Sequence, residues 1–161
     1  MEHHDNLSIV HFMSKVISIN ISKGGIPKLP VLSCAVTING LSGDGRNHDK
    51  HNSPERAVSI IDIEILHQLN KEGYDICPGA VGENVTVEQL NVQSLEPGDH
   101  LLFSGGVELE LVESRRPCYV LDPLGENLKK DIIGRCGYLA RVIAEGTFIQ
   151  GETIRVLTSS N

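Results

Sequence analysis

Tryptophan is absent from this chain, and phenylalanine and tyrosine together make up only 4% of its 161 residues. An interior without aromatic bulk has to be filled by Val, Ile and Leu, a set that suits strands. No apolar run approaches the ~20 residues of a membrane-spanning helix. The N-terminus shows no basic region, long apolar core or small-residue cleavage site, so no secretory signal is recognisable. The four cysteines, Cys34, Cys77, Cys118 and Cys136, form no CxxC pair, which excludes zinc-ribbon spacing. In a chain without an export signal these thiols are expected to be reduced, in a cytoplasmic protein. Positive charge is also in deficit: 14 basic against 21 acidic residues give a net charge of −7. That argues against a general nucleic-acid binder, which carries a basic surface. It leaves room for a local basic pocket, because Arg115, Arg116, Arg135 and Arg141 all fall in the last third.

What is present reads as one domain over residues 13–158, long enough for a substantial core, after a tail at 1–12. Val16, Ile17, Ile19 and Ile21 alternate with polar residues as a first strand, and Val31 to Ile38 reads as a second. A polar loop then runs from Asn39 to Pro54. Ala57 to Ile61 reads as a short buried strand. The clearest helix spans about 62–72, with Asp62 as N-cap, Ile65, Leu66 and Leu69 on one face, and Gly73 as the stop. Asn84–Val87 reads as a strand. Leu101–Phe103 and Val107–Val112 flank Ser104-Gly105-Gly106 as a hairpin. A second, short helix is expected at about 124–131. Tyr138–Ala144 and Thr153–Leu157 read as strands joined by a turn at Gly146–Gly151. Many short strands with one clear helix predict a mainly β, barrel-like fold.

The residues with the most chemical content are Arg115-Arg116-Pro117-Cys118. Thiolate is the reactive form of cysteine, and neighbouring positive charge favours it. Proline fixes its own φ and biases Arg116 toward an extended conformation, so the approach of the thiol is partly set. Further clusters punctuate the chain: Gly43-Asp44, then His48-Asp49-Lys50-His51 and Arg56-Ala57-Val58, then Pro78-Gly79-Ala80-Val81-Gly82-Glu83-Asn84. Gly134-Arg135-Cys136-Gly137 and Arg141-Val142 follow the cysteine motif. Asp44 reads as a turn residue, and Glu83 as a residue that orders its turn.

In this ordered set the chain resembles the MOSC domain family, named after the C-terminal domain of molybdenum cofactor sulfurases. The resemblance covers roughly residues 13–158. It departs from the family pattern where Asn52-Ser53 replace glycines after His51, and where Cys136 adds a thiol. It implies a β-barrel whose cysteine, here Cys118, either ligates the molybdenum of a pterin cofactor or carries sulfur as a persulfide. His51, Arg56, Asn84, Arg115, Arg116, Arg135 and Arg141 are the expected cofactor-binding residues. The chemistry is consistent: thiolate is a soft ligand, and the guanidinium fork binds phosphate bidentately. Some family members reduce N-hydroxylated compounds. Molybdenum-cofactor biosynthesis proteins or a cysteine desulfurase are the implied partners, and any pyridoxal phosphate would belong to such a partner. Neither a membrane nor nucleic acid is expected as a partner.

Three other readings stand beside it. Cys118 with His51 as base would make a cysteine hydrolase, although no nucleophile turn is recognisable. The barrel could serve as a non-catalytic interaction domain. Cys118 and Cys136, each beside arginine, could form a redox pair.

Overall fold

The computed structural model describes residues 13–45 and 53–159. The first part contains β1 (Ser14–Ile21), β2 (Leu29–Val31), β3 (Ser33–Thr37) and β4 (Gly40–Leu41). The second begins with β5 (Val58–Asp62), α1 (Ile63–Lys71), β6 (Val85–Glu88), β7 (His100–Phe103) and β8 (Glu108–Ser114). It ends with α2 (Leu128–Asp131), β9 (Tyr138–Ala144), β10 (Gly146–Ile149) and β11 (Thr153–Leu157). Seven of these strands close into a barrel, in the order β1-β11-β7-β8-β9-β5-β6 and back to β1. Closure falls to β1, which pairs with β6 along one edge. Its other edge is divided: Ser14 and Lys15 pair with β11, and Ile19 to Ile21 pair with β2. A separate three-stranded sheet has the order β10-β3-β4. Among the described residues no helix is long and apolar enough to cross a membrane.

The aliphatic composition fills two cores on opposite faces of the same strands. Inside the barrel lie Val16, Ile19, Val58, Ile60, Val85, Leu101, Leu109, Leu111 and Ala140, with the rings of Phe103 and Phe148 centred 4.8 Å apart. A shift in the β1–β6 register between Val16 and Ser18 lets Val16 and Ile19 face inward although they are three residues apart. Outside the barrel, Ile61 packs with Leu66, Leu69, Val81, Leu121, Leu128, Ile132 and Cys136. This second core explains why all five residues of β5 are buried. β5 and β6 run parallel, and α1 lies in the crossover between them, as parallel pairing demands.

Several expected elements are revised. The run from Val31 to Ile38 is not one strand: it breaks at Leu32, so that β2 pairs with β1 at the edge of the barrel and β3 joins the small sheet. Gly146–Gly151 is not simply a turn, because Gly146–Ile149 pairs with β3 as β10. The second helix is confined to Leu128–Asp131, with a 3-10 turn at Tyr119–Leu124 before it. Pro123 stands inside that turn. Asp62 occupies the N-cap position of α1, but its carboxylate makes no capping bond. Its oxygens instead accept the N–H groups of Leu90, Asn91 and Val92 at 3.0, 2.7 and 2.7 Å. This ties the end of β5 to the loop after β6. Asp62 is 3% exposed, so Asp62→Ala strands the buried N–H groups of Leu90 and Val92 and the half-buried one of Asn91, and unfolding in urea is expected to show a loss of about 3 kcal/mol. An unchanged midpoint would refute this role.

Candidate functional site

Alternation along β5 and β9 sends Val58, Ile60, Tyr138 and Ala140 into the barrel, which leaves Ser59 and Leu139 on its outer face. Ser59 stands opposite Leu139, and Leu139 opposite Glu113. Glu113 would face inward by strict alternation after Leu109 and Leu111. A register shift between Leu111 and Glu113 turns it outward. Asn84, immediately before β6, extends the row: its N–H donates to the Ser59 carbonyl at 3.0 Å, and the Ser59 N–H donates to Asn84 Oδ1 at 3.1 Å. Asn84, Ser59, Leu139 and Glu113 thus form a continuous row across four strands.

This row is the floor of a cavity of about 440 Å³, closed at the sides by Lys28, Arg56, Arg115, Arg116, Pro117 and Cys118. The Arg-Pro-Cys segment reaches it because the β8–β9 ladder continues one step beyond Ser114, with the Arg115 N–H donating to the Gly137 carbonyl at 2.9 Å. Gly137 has φ +85, and a Cβ there would sit 2.1 Å from the Ile60 carbonyl oxygen, so the strand crossing needs glycine. Cys118 follows in extended backbone, half-buried, at the start of the 3-10 turn Tyr119–Leu124.

The walls are charged out of proportion to the chain. Among the described residues, four basic and one acidic line the cavity of a protein whose net charge is −7. Arg56 leaves the turn before β5 and pairs with Glu113 at 3.2 Å, both half-exposed. Lys28 reaches both Asp44 oxygens, at 2.7 and 2.6 Å. Asp44 also accepts the Ser22 N–H and the Asn84 side-chain amide, at 3.0 and 2.9 Å. It is therefore the junction that fixes Lys28 and Asn84, and not only a turn residue. Arg115 donates from Nη2 to the Val81 carbonyl at 2.7 Å. The arrangement combines a thiol, fixed amide and hydroxyl groups, and guanidinium donors around one space. It can bind an anion and place it beside sulfur.

Of the residues expected from sequence, the structure brings together Arg56, Asn84, Arg115, Arg116 and Cys118. It does not bring Arg135 or Arg141 to them. Arg135 is clamped by Glu72 through two hydrogen bonds of 2.7 and 2.6 Å and by the Asp131 carbonyl, joining the end of α1 to α2. Arg141 shares the outer face with Leu139 but lies farther along β9, where it stands opposite Glu110 and pairs with it at 2.7 Å. His51 and His48 lie outside the described residues. Lys28 and Ser59 are additions from the fold. Lys28 follows Pro27 in a stretch that reads as a plain loop, and Ser59 sits inside an apolar run.

Comparison with known proteins decides the family. The MOSC domain family model matches residues 47–155. The chain belongs to the MOSC domain family. MOSC domains are associated with the molybdenum cofactor, and the matched span contains Arg56, Asn84, Arg115, Arg116 and Cys118. A curated protein named "Reductase" from Gibberella moniliformis (strain M3125 / FGSC 7600) is 31% identical over 134 residues, 77% of this chain. The chain spans only 23% of that relative's length. Solved structures share the fold. The YuaD protein from Bacillus subtilis superposes with a TM-score of 0.78 at 20% identity, over 92% of this chain and 97% of that one. YiiM from Geobacillus stearothermophilus gives 0.72 at 24% identity, over 89% and 75% of the two chains.

The four thiols of this MOSC domain differ in access. Cys77 is exposed and Cys118 half-buried, whereas Cys34 and Cys136 are buried. Burial pushes the thiols of Cys34 and Cys136 up, so their reactive thiolates form only at higher pH than in the unfolded chain. Iodoacetamide at neutral pH is therefore expected to modify Cys77 and Cys118 in the native protein, and all four after denaturation. Peptide mass analysis that found Cys136 labelled as fast as Cys118 would contradict this arrangement.

Proposed function

We propose that this MOSC domain binds the molybdenum cofactor in the cavity, with the Cys118 thiolate as the protein's ligand to the metal. The observation that carries the reading is the convergence of four basic side chains of an acidic chain on one cavity that also holds Cys118. The donor set suits the group. A pterin ending in phosphate needs cationic donors, which Arg115, Arg56 and Lys28 offer, and polar groups in fixed orientations, which Asn84 and Ser59 offer. Thiolate suits a metal that accepts soft ligands. When bound, the cofactor supplies a two-electron redox centre. The protein's share is to hold it: Asp44 and Ser59 keep Asn84 in one orientation, and the ladder bond from Arg115 to Gly137 fixes the segment that carries the thiol.

Arg56 is the adjustable element. It pairs with Glu113 at a half-exposed position, where an ion pair contributes little to stability. An incoming phosphate can take the guanidinium over from Glu113 at small cost.

Similarity to the Gibberella protein named "Reductase" favours a reductive role. On this reading the domain works within a small molybdenum-dependent oxidoreductase that acts on N-hydroxylated compounds in the cytoplasm. The cofactor biosynthesis machinery is then its supplier. Sulfur carriage from a cysteine desulfurase uses the same thiol and is the second reading.

Elemental analysis and pterin fluorescence, on protein made in a cofactor-competent host, separate these. Wild type is expected to hold molybdenum and pterin near one per chain, and Cys118→Ala to lose both. Metal-free wild type that releases sulfur to cyanide would replace the cofactor reading with persulfide transfer.

A further inference from the structure

Two charged side chains among the described residues have an atom sealed from solvent without a hydrogen-bond partner: Oε1 of Glu83 and Nη1 of Arg115. One is an acceptor on an acid, the other a donor on a base. Glu83 is fully buried. Its neighbours Gly82 and Asn84 line the cavity, but its own carboxylate joins an internal polar chain. The Thr86 hydroxyl donates to Glu83 Oε2 at 2.7 Å. Asn20 Nδ2 donates to Thr86 Oγ1 at 3.1 Å, and the Ser18 hydroxyl donates to Asn20 Oδ1 at 2.6 Å. Ser18, Asn20 and Thr86 are all buried.

The Arg115 guanidinium lies against the backbone of Val81 and Gly82, the two residues that precede Glu83. Its Nη2 bonds the Val81 carbonyl, and a Cβ added at Gly82 would come within 3.3 Å of the same nitrogen. Burial pushes the Glu83 carboxyl up; a backbone hydrogen bond at Gly79, the Thr86 hydroxyl, its own backbone and, least of these, the Arg115 charge pull it back down. Because neither orphaned atom touches solvent, a ligand in the cavity satisfies neither of them as they stand. An uncompensated buried charge is strongly disfavoured, and each of these is the natural complement of the other.

We infer that Glu83 is a positioning residue of the site: its buried carboxylate is the counter-charge that holds the Arg115 guanidinium against residues 81–82 at the cavity wall. The ligand touches Arg115 and never touches Glu83. This inference rests on the anion-binding reading of the cavity.

A double-mutant cycle tests it, with E83Q, R115Q and the double variant, each read by urea unfolding and by calorimetric titration with inorganic phosphate. Glutamine keeps the size of Glu83 and can still accept the Thr86 hydrogen bond through its carbonyl, while the charge is removed and one acceptor oxygen becomes an amide donor. The expected result is weaker phosphate binding in E83Q, by about tenfold, and a similar loss in R115Q. The double variant should bind no more weakly than R115Q, and its urea midpoint should lie above that of E83Q. If E83Q fails to fold, recovery of the folded state in the double variant carries the inference, and a double variant that also stays unfolded overturns it. Wild-type affinity in E83Q, or losses that multiply in the double variant, would also overturn it. A wild-type chain that binds no phosphate removes the anion-binding reading itself, and the positioning role falls with it, whatever the urea midpoints show.

Discussion

The site depends on the register of the barrel ladder. Asn84, Ser59, Leu139 and Glu113 belong to four different strands or strand ends, and they share a row only because each pairing holds its place. A slip of one residue would exchange the inner and outer faces of a strand. Val58 and Ile60 would leave the barrel core, and Ser59 would enter it. The aliphatic interior therefore does more than stabilise the fold: it fixes which polar side chains reach the cavity floor. The bulge before Glu113 is part of the same constraint, since it adds an acidic position to an otherwise inward-alternating strand.

Above that floor, the Arg115 to Cys118 segment is positioned by backbone as much as by side chains. One ladder bond to Gly137 holds Arg115, and Pro117 stiffens the path to Cys118. Leu121, three residues later, is anchored in the outer core with Ile61 and Cys136. The thiol thus hangs between two fixed points. Polar support comes from beneath: Asp44 collects Lys28, Ser22 and Asn84, and Glu83 belongs to a buried chain running through Thr86 to Asn20. The cavity is cationic because Asp44, which balances Lys28, is turned toward the protein, and Glu113 is the one carboxylate among the described residues that line it.

Much of the fold was legible in the sequence. Alternation marked Tyr138–Ala144 and Thr153–Leu157, and Gly105-Gly106 marked the hairpin between β7 and β8. β10 escaped because it is four residues long between glycine-bearing turns, and its partner β3 is distant in sequence. The ordered motifs brought out Arg56, Asn84, Arg115, Arg116 and Cys118. They also pointed to Arg135 and Arg141, because neither the glycine before Arg135 nor the valine after Arg141 tells whether the guanidinium faces a ligand or a carboxylate such as Glu72 or Glu110. Lys28, Ser59 and Glu113 carried no signal of their own. Their place in the cavity comes from strand register and from the path of a loop, neither of which is written locally.

The most direct test of the account is X-ray absorption at the molybdenum edge on cofactor-loaded protein, comparing wild type with Cys118→Ser. The account predicts one sulfur neighbour more in wild type than in the variant, with the pterin sulfurs common to both. An identical sulfur shell in the two proteins would contradict Cys118 as the ligand and leave the basic cavity without its central function.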